Sequence, residues 1–394
     1  MIKAVTVQTT ITDDMVLACN DIVCQLREKL ELMSNSVGII QCDPEYLEAG
    51  IMQSLHEALS FPLVGGTTVS IATSEELGNL VFSMMVMTSD DVEFVASYTE
   101  GLADDCAGAI ERALSASVKV SDKPLKMAMV FPTVTDNDRL PGDIYVETVE
   151  KYCGVVPVFG TLSVNDALEK FERSMSVFGG QVFKREMSYV LFFGDITPRF
   201  LVAIVPPRSR VIDSPATITG LNGSAVSRIN NISAVKYFES IGFAVDGKLA
   251  PGVYFVPLLV TETDDNGDSQ TFVRAIVGFN DEGSAVCRGK IPLGAQISFG
   301  SLQSADILAA TSHLVDRVNQ EPDVQAALFF SCIVRQISIG ADPLKELAII
   351  KDSLRSGVPF VASYSGGEIS PICSSLRGTC KNYFHNYSLI VCLL

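Results

Sequence analysis

A pattern of segments that occurs three times along the chain constrains the fold more than any other sequence feature. Each copy has a helix, an apolar strand and a second helix, followed by a proline that opens a short strand ending in small residues. The three short strands read PLVGGTT at residues 62–68, PVFGTLS at 157–163 and PFVASYS at 359–365. Val16, Cys19, Val23 and Leu26 show the apolar spacing of one helix face. The recurrence predicts one structural unit built three times.

The order of segments within each copy predicts how its strands run. Two strands joined by a helix are expected to be parallel, and proline suits the first residue of a strand because its missing N–H is least harmful there. Further β sequence follows the copies at residues 80–87, 92–98, 175–183, 189–193, 200–205 and 387–394. The predicted fold class is α/β, with mixed sheets built from repeated αβαβ units and extended by antiparallel strands.

The length of 394 residues exceeds the size at which a single core keeps growing, so two domains are expected. Prolines and arginines follow a β run near residue 205, which predicts domains at 1–205 and 206–394. Residues 206–300 break the repeat and contain hairpin candidates at 253–261 and 271–279. The intervening DDNGD at 264–268 is interpreted as a polar hairpin tip, because the glutamate and flanking helices of a calcium loop are missing.

Charge excludes some classes of partner. The chain has 46 acidic residues against 29 lysines and arginines, a formal net charge of −17. Because this charge repels nucleic acid and anionic membrane surfaces, we expect neither as a partner. The apolar stretches are far shorter than the roughly 20 residues of a membrane helix, and no signal peptide is visible. We therefore expect no membrane insertion.

Cysteine and histidine usage bears on location and metal binding. The ten cysteines are scattered without CxxC spacing, and the three histidines are His56, His313 and His385. Free thiols fit a reducing compartment, and a zinc site needs clustered ligands that this pattern does not offer. We predict a cytoplasmic protein without a metal site or another cofactor.

Four motifs give the chain a resemblance to a known family. They are PLVGGTT at residues 62–68, SCIVR at 331–335, VPFVASYSGGEISP at 358–371 and FHNYSL at 384–389. In this order they resemble the FIST family over nearly the whole chain. The resemblance implies a sensory, signal-input protein that binds small molecules such as amino acids and is not an enzyme. The chain has no kinase, cyclase or receiver signature, so its signal is expected to leave through a protein partner or oligomerisation.

The ligand site is predicted where the proline-led strands end, because ligands of open α/β sheets bind outside the carboxyl ends of parallel strands. Arg335 follows an apolar strand and suits a ligand carboxylate, while Glu368 suits an amine. This pair predicts an amino-acid-like ligand. The other predicted ligand-binding residues are Ser331, Tyr364, Ser365, Gly366, Gly367, Gly65, Gly66, Thr67, Thr68, Gly160, Thr161, His385 and Asn386.

Structural explanations compete with these assignments. Arg335 and Glu368 would pin two loops if they paired with each other instead of with a ligand. Glycines at the strand ends also suit tight turns that need a positive φ. His385, expected to open the last strand with Asn386, is also explained by a structural hydrogen bond, and Tyr364 by packing on the core. The sequence leaves these alternatives open.

Two other classes of function also stay open. An enzyme would use a loop serine, or one of Cys332, Cys373 and Cys380 together with His385. The dinucleotide, P-loop and nucleophile-elbow signatures of common enzymes are missing. A scaffold without a ligand would act only through its protein partner. We favour the ligand-binding sensor.

Overall fold

The structure is a computed structural model that describes residues 2–133, 142–165, 172–204, 212–263, 269–373 and 380–394. Its helices are α1 (Met15–Lys29), α2 (Pro44–Glu48), α3 (Ile51–Ala58), α4 (Cys106–Ser117), α5 (Asp143–Cys153), α6 (Ala234–Ser240), α7 (Ser304–Gln320), α8 (Ile333–Ile339) and α9 (Lys345–Ser353). Within these described parts, no helix combines the length and apolar character needed to cross a membrane.

Strands occur in all six of the described parts. Those before residue 205 are β1 (Lys3–Thr9), β2 (Asn35–Cys42), β3 (Leu63–Thr67), β4 (Ile71–Ala72), β5 (Leu77–Gly78), β6 (Phe82–Ser89), β7 (Glu93–Tyr98), β8 (Leu125–Pro132), β9 (Val158–Thr161), β10 (Ser176–Phe178), β11 (Gln181–Phe183), β12 (Met187–Phe193) and β13 (Arg199–Ile204). The later ones are β14 (Ile212–Asn222), β15 (Ala225–Ile229), β16 (Ile232–Ser233), β17 (Ala244–Val245), β18 (Lys248–Leu249), β19 (Leu258–Thr263), β20 (Ser269–Arg274), β21 (Ile276–Phe279), β22 (Ala285–Cys287), β23 (Gln296–Phe299), β24 (Ala327–Cys332), β25 (Phe360–Ser365), β26 (Glu368–Cys373), β27 (Cys380–His385) and β28 (Ser388–Leu393).

Three six-stranded sheets share one strand order. The order is β1-β6-β2-β3-β10-β11 in sheet 1, β7-β12-β8-β9-β26-β27 in sheet 2 and β13-β28-β24-β25-β4-β5 in sheet 3. In every sheet the third and fourth strands are parallel. The other neighbours are antiparallel. The predicted repeat, its parallel pair and its antiparallel extensions are confirmed.

The last two strands of each sheet come from another repeat unit. The hairpin β4–β5 follows β3 of sheet 1 but joins sheet 3. In the same way, β10–β11 follow β9 of sheet 2 and join sheet 1, and β26–β27 follow β25 of sheet 3 and join sheet 2. The exchange is cyclic, so each unit needs a neighbour to complete its sheet.

The central strands are buried on both faces, which explains their continuous apolar sequence. Val64, Phe159 and Val361 occupy equivalent positions in β3, β9 and β25 and meet in one central core shared by the three sheets. The residues before them face three outer cores. Helices α1 to α3 cover the outer core of sheet 1, α4 and α5 that of sheet 2, and α7 and α9 that of sheet 3.

The part that breaks the repeat forms a fourth sheet between β13 and α7. It contains β14 to β16 and β19 to β23 and has its own core, against which α6 packs. β19 and β20 pair as a hairpin, as predicted, although the turn, residues 264–268, lies outside the described residues. The predicted strands were too long, because Val253–Phe255 form a 3-10 helix and Ile276–Phe279 pair with β22. The predicted domain boundary falls on residues 205–211, which also lie outside them, and stays a prediction.

We expect Gly160→Ala to unfold more easily than the wild type, because the strand pair leaves no room for a side chain. An added Cβ at Gly160 would lie 1.9 Å from the carbonyl oxygen of Val130, whereas one at Gly278 would meet open space. The expected loss in the free energy of unfolding is about 2 kcal/mol or more for Gly160→Ala and below about 0.5 kcal/mol for Gly278→Ala. Chemical denaturation measures both, and equal losses would contradict the packing argument.

Candidate functional site

The three strand ends meet because each chain segment leaves its own sheet there. The N–H of Leu162 donates to the carbonyl of Gly367 at 2.9 Å, and the hydroxyl of Thr68 donates to the carbonyl of Tyr364. We call this region the junction; it comprises residues 65–68, 160–163 and 363–368. The sequence prediction that these three segments lie close together agrees with these hydrogen bonds.

The junction is closed to solvent. Among the predicted site residues Gly366 is half-buried and the others are buried. Gly65, at φ 143°, lies so close to β2 that a Cβ would be 2.0 Å from the carbonyl oxygen of Ile40. Close strand approach and a positive φ thus account for a glycine here. The assignment of ligand contacts to the junction stays a prediction, and the cavity described below is formed by other residues.

Arg335 pairs with Glu346 and not with Glu368. It lies in α8 with its side chain fully buried, and its Nη2 is 2.6 Å from Oε1 of Glu346, which is equally buried. The carboxylate of Glu346 also accepts hydrogen bonds from the hydroxyls of Ser331 and Thr311 at 2.8 and 2.7 Å. The alternative in which Arg335 pairs with Glu368 is therefore excluded, and two of the predicted ligand-binding residues, Arg335 and Ser331, belong to a structural network.

Glu368 is held by hydroxyl groups. Ser365 and Ser388 donate to its two carboxyl oxygens at 2.6 and 2.8 Å. Burial raises the pKa of Glu368 to about 8, although both hydroxyls oppose the shift. The carboxyl is thus largely protonated at neutral pH, which does not suit the predicted binding of an amine.

His385 and Asn386 have structural partners. His385 ends β27 instead of opening the last strand, which begins at Ser388. Its Nε2 lies 3.0 Å from the carbonyl oxygen of Ser370, and burial lowers its pKa to about 4. The side-chain oxygen of Asn386 accepts from the N–H of Ala275 at 3.1 Å. His385 therefore links β27 to β26, and Asn386 links the end of β27 to the segment between β20 and β21.

Cys373 and Cys380 lie in strands and not in the loop predicted for them, whereas Cys332 lies in a strand as expected. Cys332 ends β24, where burial raises its pKa well above the ordinary range. Cys373 and Cys380 stand opposite each other in β26 and β27 and form a disulfide. A free thiolate is the reactive form of cysteine, and neither arrangement favours it.

A cavity with polar and aromatic lining lies between α5, β27 and the fourth sheet. Its volume is about 570 Å³. We call it the interdomain cavity. Its charged and aromatic lining residues are Asp143, Glu147, Glu150, Glu262, Phe272, Arg274, Lys290, Lys381 and Tyr383. They come from segments that are far apart in the sequence, which is why no motif pointed to them.

Arg274 fixes the floor of the interdomain cavity. Its side chain is 2% exposed and its Nη2 is 3.2 Å from Oδ1 of Asp143 in α5. The guanidinium also donates to the carbonyls of Lys290 and Phe384 at 3.0 and 2.9 Å and lies over the ring of Phe272. One side chain therefore joins α5, β27 and the fourth sheet.

Two lysines lie at the rim of the cavity, and they differ in whether a carboxylate pairs with them. The ammonium of Lys290 lies 2.6 Å from a carboxylate oxygen of Glu147. The ammonium of Lys381 lies over the ring of Tyr383, 5.1 Å from its centre. No carboxylate among the described residues lies within ion-pair distance of Lys381, so this cation is available to a ligand anion.

The buried ion pair predicts a large, non-additive cost of substitution. Arg335→Met leaves the carboxylate of Glu346 buried without its cation, and we expect a loss of about 3 to 5 kcal/mol in the free energy of unfolding. The double variant Arg335→Met/Glu346→Leu should lose less than the sum of the two single variants. Chemical denaturation measures all three, with Arg112→Met in an exposed pair as the control. Additive losses would contradict the pairing.

Glu368 predicts a fall in stability above pH 6.5. Its folded-state pKa of about 8 exceeds the ordinary 4.5, so the folded protein keeps a proton that the unfolded chain loses, and stability falls as pH rises between these values. His385 opposes this trend only between about 4 and 6.5.

From pH 6.5 to 8 we expect a fall of up to about 1.4 kcal/mol per pH unit in the wild type and a flatter profile in Glu368→Gln. Urea denaturation across this range provides the measurement, and the exposed Glu111→Gln is the control. A wild-type slope retained in Glu368→Gln would refute the assignment.

Comparison with known proteins identifies the family. The model of the FIST N domain matches residues 36–232, and that of the FIST C domain matches residues 234–371. A solved structure of cyanuric acid hydrolase is similar at 10% identity and a TM-score of 0.31, with 100% of this chain and 98% of that chain covered. No curated protein matches the sequence. Since the two domain models cover nearly the whole chain, the protein belongs to the FIST family of sensory domains.

Proposed function

We propose that the protein senses a small ligand that binds in the interdomain cavity. The observation that carries the proposal is a cavity of about 570 Å³ with a buried arginine and an available lysine, within the usual size of small-molecule sites. Asp143 and Glu147 belong to the part matched by the FIST N domain, and Phe272, Arg274 and Lys290 to that matched by the FIST C domain. A ligand there would contact both parts.

The lining favours an amino acid or a similar zwitterion. Lys381 offers a cation for a carboxylate, and Glu262 offers an anion for an amine. The rings of Phe272 and Tyr383, whose centres are 6.5 Å apart, provide apolar surface for a side chain. A cation and an anion on either side of an aromatic surface suit a ligand that itself carries both charges.

The proposal describes a binding protein and not a catalyst. Burial raises the pKa of several free thiols, to about 12 at Cys106 and Cys287, so the reactive thiolate is disfavoured at neutral pH. We further propose that the protein acts in the cytoplasm and passes its signal to a protein partner, because a ligand held between two parts of the chain changes how they are held together.

A thermal-shift screen against amino acids and related metabolites tests the proposal. A ligand at about 100 times its Kd should add roughly 2.7 kcal/mol to the free energy of unfolding. We expect Lys381→Ala to weaken the binding of any hit by about tenfold, because a charged hydrogen bond is lost. The exposed Lys248→Ala is the matched control.

Two outcomes would count against this function. If no metabolite stabilises the wild type, the sensor proposal fails and the ligand-free scaffold becomes the better explanation. If a hit binds Lys381→Ala as tightly as the wild type, ligand binding stands but the interdomain cavity is not its site.

A further inference from the structure

The disulfide between Cys373 and Cys380 lies at the surface. Both cysteines are exposed, whereas six of the eight free cysteines are buried. Burial raises the thiol pKa at Cys42, Cys332 and Cys392, which disfavours reaction there. Exposed disulfides are the ones that reducing agents reach and that behave as labile or regulatory bonds. A thiol reductant can therefore reach this disulfide, and the buried free thiols are poor competitors for exchange with it.

The disulfide is directly attached to the interdomain cavity. Lys381, Asn382 and Tyr383 follow Cys380 in β27 and line the cavity. The disulfide closes the outer end of the β26–β27 ladder, in which Cys373 pairs with Cys380. If the strands separate at this end, the position of Lys381, the next residue along β27, changes as well.

The outer half of β27 has few other restraints. It is the edge strand of sheet 2 and pairs only with β26 among the described strands. Pro371 stands opposite Asn382 and has no N–H to donate to the ladder. The side chain of Asn382 supplies the main further anchor, since its Oδ1 accepts from the N–H of Val158 and its Nδ2 donates to the carbonyl of Val156, both at 2.8 Å. Beyond Asn382, Lys381 and Cys380 pair with Ile372 and Cys373 of β26, and the disulfide adds a covalent link at the end of this short ladder.

We propose that Cys373 and Cys380 form a reversible thiol–disulfide site that controls how firmly β27 is held beside the interdomain cavity. A dithiol reductant attacks one sulfur through its thiolate, the S–S bond breaks, and the other cysteine leaves as a thiolate that takes up a proton. The second thiol of the reductant then resolves the mixed disulfide. The reductant becomes a disulfide, and the two cysteines receive two electrons and two protons.

A redox titration of the full chain tests the site without any ligand. The protein is equilibrated in buffers of reduced and oxidised dithiothreitol, and alkylation with mass spectrometry reports the state of each cysteine. We expect a single two-electron transition at Cys373 and Cys380 in folded protein, unchanged in Cys24→Ser, which removes an exposed free thiol. A pair that stays oxidised until the protein unfolds, or never oxidises, overturns the proposal.

Hydrogen exchange tests the effect on β27. We expect faster exchange in residues 380–383 after reduction, and the same increase in the double variant Cys373→Ser/Cys380→Ser without reductant. Strands of sheet 1 serve as the internal control and should not change. Reduction of the wild type and the double substitution both remove the disulfide. If the double variant does not fold, the comparison of oxidised and reduced wild type still decides the test. Equal exchange in the oxidised and reduced wild type would overturn the link to β27.

Coupling to a ligand rests on the proposed function and has its own readout. For an amino acid found in the thermal-shift screen, we expect the oxidised protein to bind about fivefold or more tightly than the reduced protein. Linkage then requires that saturating amounts of the same amino acid lower the midpoint potential of the pair by about 21 mV, the same fivefold factor for two electrons. Equal affinities and an unshifted midpoint overturn the coupling. If no amino acid binds either state, the sensor proposal fails, while titration and exchange still decide the redox site.

Discussion

Each proline-led strand leaves its sheet immediately after the parallel pair, and the hairpin that follows completes a different sheet. At such a crossing the backbone is buried, so its N–H and C=O groups must find partners away from their own sheet. The three crossings satisfy one another, as in the bonds between Leu162 and residues 366–367. Small residues are needed there because the crossing segment packs directly against two strands. Hydroxyl-bearing residues supply hydrogen bonds to the buried backbone groups. Packing of the three sheets around one core depends on this arrangement.

The same constraint explains why the junction has the sequence of a ligand site. Glycines, serines and threonines at strand ends are typical of loops that approach ligands, and equally of chain segments that approach one another. Ser365 and Ser388 donate to Glu368, and Ser331 donates to Glu346. Their hydroxyls satisfy buried carboxyl groups inside the protein. Sequence alone does not distinguish these uses, because the partner is set by topology.

The units of the fold were predictable because their signals are local. A proline before a short apolar strand, and helices between strands, define β2 with β3 and its two equivalents within about 40 residues each. The cyclic exchange was not predictable, since the pairing of Ala72 with Ala362 joins distant segments and leaves no periodic trace. The burial of Glu346 was missed for a related reason. It lies in α9 beside the apolar Leu347 and Ile350, and nothing in the local sequence shows that Arg335 neutralises its charge there.

The interdomain cavity illustrates the same limit, and its position determines which elements the proposed ligand would act on. Asp143, Arg274 and Lys381 come from three separate regions and are adjacent only because β27 lies between α5 and the fourth sheet. The hairpin of β26 and β27 carries Glu368 at its junction end and Lys381 at its outer end.

That hairpin is also bonded to the fourth sheet, through Arg274 to the carbonyl of Phe384 and through Ala275 to Asn386. A change in how the fourth sheet sits on α5 must therefore alter the bonds of β27, and β27 is paired along its length with the strand that enters the junction. Energetic coupling in proteins follows such hydrogen-bonded elements when both sites bias their position. The hairpin of β26 and β27 thus connects the cavity directly to the junction at the centre of the three sheets.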